Sequence, residues 1–170
     1  LKRAIYLACF LAIVSALAGG VLALANSLTI DKINENKIAT IKASLQVVYP
    51  DAEFQAIENF SDDTGKITGI YYAVDKGYIY KVTVDGFGGK GSIEYLIGFG
   101  VSNKVDGYSV VICQETSGFG SQVAEDPFSS SIIGSDIGSE YDIITGSTVS
   151  SKAVIEGINV AVKHYEANYK

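Results

Sequence analysis

The sequence predicts an α+β domain carried on one N-terminal transmembrane helix, and three observations predict it. Residues 4–30 form an uncharged run dominated by Ala, Leu, Ile and Val. The middle of the chain holds β-branched and aromatic runs broken by turn signals. The closing segment repeats apolar residues at helical spacing.

Lys2 and Arg3 precede the uncharged run, and no further charge occurs before Asp31. At about 1.5 Å per helical residue the run exceeds the ~30 Å hydrocarbon core of a bilayer. Residues 1–30 are therefore expected to form a transmembrane anchor, and residues 31–170 an extracytoplasmic domain. A cleaved signal peptide is the competing reading, because Ala23 and Ala25 in "ALAN" make a small-residue cleavage pattern. The run is longer than the roughly 7–15 apolar residues of a signal peptide, which favours a retained anchor. The two basic residues ahead of it place the N-terminus in the cytoplasm.

In "LTIDKINENKIATIKASLQVVYP" the apolar positions Ile30, Ile33, Ile38, Ile41, Leu45 and Val48 suggest a helix continuing from the anchor, stopped by Pro50. "KITGIYYAVDKGYIYKVTVDGF" then holds two strand-like runs around Asp75-Lys76-Gly77, a hairpin signal. "SIEYLIGFGV" and "VDGYSVVICQ" form a second pair around Asn103-Lys104. "GFGGKG", Gly86 to Gly91, is read as a flexible link between the pairs. It lacks the Gly-Lys-Ser/Thr ending of a P-loop. "QETSGFGSQVAEDPF" is a polar loop leaving the last strand, and "SSSIIGSDIGSEYDIIT" reads as a loop with a short strand. In the final segment Val154, Ile158, Ala161, Val162 and Tyr165 share one helical face.

Beyond residue 30 the chain has 19 acidic and 11 basic residues, a net charge of −8. Such a surface disfavours nucleic acid and anionic lipid. Cys9 lies in the apolar run and Cys113 in the domain, so pairing is not expected, and neither has metal-site spacing. His164 is alone on the last helix and reads as a surface or packing residue.

The stretch "DIITGSTVSSKAV", Asp142 to Val154, gathers five hydroxyls just ahead of that helix. Thr148 or Ser150 could cap it, an oxygen accepting a backbone N–H, with Gly146 supplying the turn. The same helix end also attracts a phosphate, to which a hydroxyl there could be esterified.

Asp142-Ile143-Ile144-Thr145-Gly146-Ser147-Thr148 resembles the Asp-x-x-Ser/Thr-Gly-Ala/Ser-Thr motif of the FMN-binding domains whose last threonine carries FMN through a phosphoester. "ETSGFG", Glu115 to Gly120, resembles the Glu-Thr-Pro-Gly-Leu-Gly loop of the same domains. The order of parts agrees along nearly the whole chain. Ser147 replaces a commoner alanine, Ser117 a proline and Phe119 a leucine.

The resemblance implies that Thr148 Oγ is joined to the FMN phosphate by a separate Mg²⁺-dependent flavin transferase that uses FAD and recognises Asp142. It implies that Thr145, Gly146 and Ser147 line the phosphate, and that Glu115, Thr116, Ser117 and Gly118 pass beside the isoalloxazine ring. It also implies an electron carrier within a membrane-bound, ion-translocating ferredoxin:NAD⁺ oxidoreductase of the Rnf type. The sodium-translocating NADH:quinone reductase is the related alternative. The other readings are a stand-alone extracellular flavoprotein and a flavin-free, membrane-anchored binding module. No catalytic set and no metal ligands are expected.

Overall fold

A computed structural model describes residues 2–170, so Leu1 of the expected anchor lies outside the described residues. The chain divides into two compact units, Leu1–Thr40 and Ile41–Lys170. One helix, α1 (Lys2–Val48), runs through the boundary expected at residue 30 without a break. It contains a window of mean hydropathy 2.5, long and apolar enough to cross a membrane. Its large apolar side chains from Ile5 to Leu28 are exposed. The helix ends just before Pro50, which has no N–H to extend it, and Asp51 turns the chain with a positive φ of 60°.

The second unit is built on a five-stranded antiparallel meander in the order β1-β2-β3-β4-β5. The strands are β1 (Phe54–Ile57), β2 (Ile67–Ala73), β3 (Gly77–Gly86), β4 (Gly89–Gly100) and β5 (Val105–Cys113). Both expected hairpins form. Their turns place Asp75 and Asn103 at φ near +60°, which these two residue types tolerate better than most. The glycine-rich segment is not a link between separate pairs. It is the tip of a third hairpin, because β3 pairs with β4 as far as Gly86 and Gly89.

Strand alternation sorts the side chains onto two faces. Tyr80, Val82 and Val84 of β3 and Ile93, Tyr95, Ile97 and Phe99 of β4 pack in one core with Val154, Ile158, Ala161, Val162 and Tyr165. Those last five are the predicted apolar face of α3 (Thr148–Asn168), and all are buried. Gly157 lets this helix sit close: a Cβ there would lie 2.5 Å from Tyr95 Oη and 2.7 Å from Val84 Cγ1. Tyr95 Oη donates to Val154 O at 2.9 Å, so its buried hydroxyl is satisfied. On the opposite face Leu45, Val48 and Tyr49 cover Ala73, Ile79 and Leu96. Gly98 and Gly107 leave room for Val48, and Tyr49 Oη donates to Asp106 Oδ2 at 2.9 Å.

The structure corrects a second expectation as well. The serine-rich segment holds no short strand; it forms the single helical turn α2 (Phe128–Ile132) and then irregular backbone. Phe128 and Ile132 stand four residues apart, so one turn of helix points both into the core, which a strand would not do. His164 is a packing residue as expected: its Nδ1 hydrogen-bonds Tyr80 Oη at 2.9 Å, and Phe60 meets its ring edge-on.

Gly157→Val is expected to overpack the interface between α3 and the sheet and to cost about 1–3 kcal/mol. Urea unfolding would show a lower midpoint, while Glu156→Ala on the exposed side of the helix stays within about 0.5 kcal/mol of wild type.

Candidate functional site

At one end of the sheet three segments converge. The β3–β4 tip brings Phe87 and Gly88, the loop after β5 brings Glu115 to Gly120, and the start of α3 brings Gly146 to Ser150. They enclose a cavity of about 410 Å³.

Glu115 joins the three. Its Oε1 accepts from the Gly88 N–H at 3.0 Å and from Ser92 Oγ at 2.6 Å. Its Oε2 accepts from the Phe87 N–H at 3.1 Å and from Ser150 Oγ at 2.6 Å. Burial alone would raise the carboxyl's pKa, but the hydroxyls of Ser150 and Ser92 and the two N–H groups outweigh it and hold the pKa below the ordinary range. The surrounding glycines permit this approach. A Cβ at Gly120 would lie 2.6 Å from Glu115 Oε2, and one at Gly86 or Gly88 would run into Glu115 Oε1 or Gln114 O. Gly86 and Gly88 therefore make room for the 114–115 backbone and the carboxylate.

The loop after β5 holds its turn without the proline of the resembled motif. Gly118 sits at φ +75°, its N–H donates to Ser121 Oγ at 2.9 Å, and Gln122 Nε2 donates to Gly118 O at 2.7 Å.

The start of α3 settles which hydroxyls cap it. Ser147 is the N-cap residue, and no side chain caps the helix, so neither Thr148 nor Ser150 does what simple capping would require. Ser150 serves Glu115 instead. Ser151 fastens the preceding turn: its Oγ accepts from the Ile144 N–H at 3.1 Å and donates to Ser147 O at 2.8 Å. Gly146 takes φ +86°, open only to glycine at low cost. Thr148 remains exposed at the cavity.

Of the residues singled out from the sequence, Glu115, Thr116, Gly146, Ser147 and Thr148 line this cavity. Thr145, Ser117 and Gly118 lie in the adjoining turns and are not part of its lining. Asp142 is exposed and borders a different cavity, of about 320 Å³, with Gln122, Asp126 and Phe128. Cys113, half-buried at the end of β5, has its thiol pKa raised chiefly by burial, as in an inert thiol. Phe87, Phe119, Gly120 and Val149 also line the cavity and were given no site role from the sequence, and Ser150 was read there only as a possible helix cap. The signal for Phe87 was an aromatic set between glycines in a hairpin tip.

The stretch that builds most of this cavity, residues 86–163, matches the FMN-binding domain family. The chain is also similar to the G subunit of the Na⁺-translocating ferredoxin:NAD⁺ oxidoreductase complex of Acetobacterium woodii. They are 26% identical, with 91% of this chain and 87% of that protein covered. It is 29% identical to the G subunit of the proton-translocating ferredoxin:NAD⁺ oxidoreductase complex of Clostridium ljungdahlii, over 72% of this chain and 75% of the relative. It is 26% identical to the G subunit of the ion-translocating oxidoreductase complex of Methanosarcina acetivorans, over 91% and 90%.

The residues of the matched segment suit the ligand that the family's name implies. The cavity falls in the usual range of small-molecule sites, about 300–1,000 Å³. The helix end that borders it has no side-chain cap, and a phosphate complements such an end. Ser147 is only 4% exposed, and its Oγ is, among the described residues, the one buried side-chain polar atom without a partner. A buried hydroxyl of this kind is costly unless a ligand or water meets it.

Because the folded pKa of Glu115 is depressed, its contribution is present above its ordinary value of 4.5 and lost as pH falls through the lower folded value. Urea midpoints measured from neutral pH downward are expected to fall more steeply below pH 4.5 in wild type than in Glu115→Gln. Equal slopes would show that the carboxylate does not stabilise this junction.

Proposed function

We propose that this chain is the FMN-carrying electron-transfer subunit of a membrane-bound, ion-translocating ferredoxin:NAD⁺ oxidoreductase complex, with FMN joined covalently to Thr148. One observation carries the reading. The fold brings the two segments that resemble flavin-domain motifs, Glu115–Gly120 and Gly146–Thr148, to one cavity, with Thr148 exposed beside an uncapped helix N-terminus. The names of the relatives support the choice of complex.

Thr148 would serve as the acceptor. Its Oγ forms the phosphoester bond as the phosphoanhydride of FAD breaks, AMP leaves, and the hydroxyl proton passes to the transferase. Asp142, exposed on a neighbouring surface, stays free for recognition by that Mg²⁺-dependent enzyme. The N–H groups of the first turn of α3 and the Ser147 hydroxyl would hold the phosphate. Thr145 and Gly146 shape the turn before it. Thr116 would stand beside the ring, with Ser117 and Gly118 supporting its loop. FMN when bound supplies reversible acceptance of electrons, and the protein's share is to hold and tune it.

The apolar helix α1 would anchor the domain in the membrane, and Lys2 and Arg3 ahead of it favour a cytoplasmic N-terminus with the flavin domain outside. The ion path and the other redox centres would belong to partner proteins of the complex.

Peptide mass spectrometry of protein co-expressed with a flavin transferase tests the attachment. The Thr148-containing peptide is expected to carry the mass of FMN, and Thr148→Ala is expected to abolish it. Asp142→Ala is expected to lower the loaded fraction while leaving the urea midpoint unchanged. A bare Thr148 under these conditions would overturn covalent flavin binding.

A further inference from the structure

We propose that Phe87, at the β3–β4 tip, is the aromatic side chain that packs on the flavin ring, and that Glu115 is the positioning residue that holds it there. The proposal rests on the reading of Thr148 as the FMN attachment site. It adds a contact from a hairpin that lies outside both motif-like segments.

The domain's other aromatic side chains are largely committed elsewhere. Tyr80, Tyr95 and Phe99 are fully buried. Tyr78, Tyr165 and Tyr169 pack on one another or on Phe99. Among the described residues no tyrosine lines the cavity. Phe87 does, and it is 73% exposed; Phe119, also lining it, is 60% exposed.

An exposed phenylalanine is ordinary on a loose loop, but the backbone of Phe87 is fixed. Its N–H donates to Glu115 Oε2, and that of Gly88 donates to Oε1. Gly86 and Gly88, on either side, approach Glu115 and Gln114 too closely for any side chain. The tip is thus drawn onto the loop after β5 with one bulky side chain between the glycines, and that side chain borders the cavity. The same carboxylate receives Ser150 from the first turn of α3, two residues after Thr148. Glu115 therefore sets the distance between the aromatic ring and the attachment point. A planar, apolar heterocycle tethered at Thr148 is a suitable partner for an aromatic face in that position.

The test uses full-length, covalently loaded protein, with loading fixed by mass spectrometry. A phenylalanine shields a flavin without quenching it, whereas a stacked tyrosine quenches it by electron transfer from the phenol. Phe87→Ala is expected to speed quenching by added iodide several-fold, and Phe87→Tyr is expected to lower emission per bound flavin several-fold. Phe87 is exposed, so both variants should keep their fold, which the urea midpoint checks. Glu115→Gln is expected to speed iodide quenching to a similar extent, with no further change in the double variant with Phe87→Ala, because both changes remove one contact. Loaded Phe87→Ala with wild-type iodide quenching, or loaded Phe87→Tyr with wild-type emission, would overturn the stacking proposal and leave the attachment reading intact. Additive effects in the double variant would overturn the positioning role of Glu115. Protein that takes up no flavin would overturn both readings.

Discussion

The carboxylate of Glu115 accepts hydrogen bonds from Phe87, Gly88, Ser92 and Ser150, and the cavity depends on this meeting. Its partners stand 23 to 35 residues away along the chain. Hydrogen bonds to an ionised acceptor are about twice as strong as neutral ones, and four of them offset the cost of part-burying the charge. Removing the side chain would leave two hydroxyls and two N–H groups without a shared acceptor. The hairpin tip, the loop after β5 and the start of α3 would then have no common fastening.

The rest of the fold supplies the setting for that junction. A meander keeps every strand beside its sequence neighbour, so β3, β4 and β5 deliver the tip and the loop to the same end of the sheet. The helix α3 lies across this face at a height set by Gly157, and its first turn ends beside the loop. The opposite face is closed by Leu45, Val48 and Tyr49, with the Tyr49–Asp106 hydrogen bond at its margin. Burial and the Asp106 carboxylate raise the pKa of Tyr49 well above the usual tyrosine range, so it stays a donor at any ordinary pH.

Local patterns carried most of this architecture in the sequence. Alternation and the Asp75 and Asn103 turns marked β2 to β5, and five apolar positions marked the buried face of α3. Features set by distant contacts were harder to read. The four-residue β1 is too short to show a period, and α2 is one turn held by Phe128 and Ile132 in the core. Capping propensity pointed to Thr148 and Ser150, yet it could not foresee that Ser150 faces a carboxylate 35 residues earlier. For the cavity, the two motif-like segments were legible, while Phe87 became visible only once the tip was seen folded onto Gln114 and Glu115.

The turn that presents Thr148 is fastened by protein groups: Ser151 bonds Ile144 and Ser147, Gly146 takes its positive φ, and Ser150 reaches Glu115, with the Ser147 hydroxyl left unpartnered. Thr148 itself stands exposed on this finished turn. Were Thr148 the flavin's attachment point, as proposed, folding and loading would be separable events in the life of the molecule. A newly made chain would complete its domain first and wait, already shaped, as the substrate of the enzyme that modifies it. The flavin would then arrive as a late passenger, its phosphate meeting the unpartnered Ser147 hydroxyl, and a shortage of it would leave a reserve of folded, empty carriers.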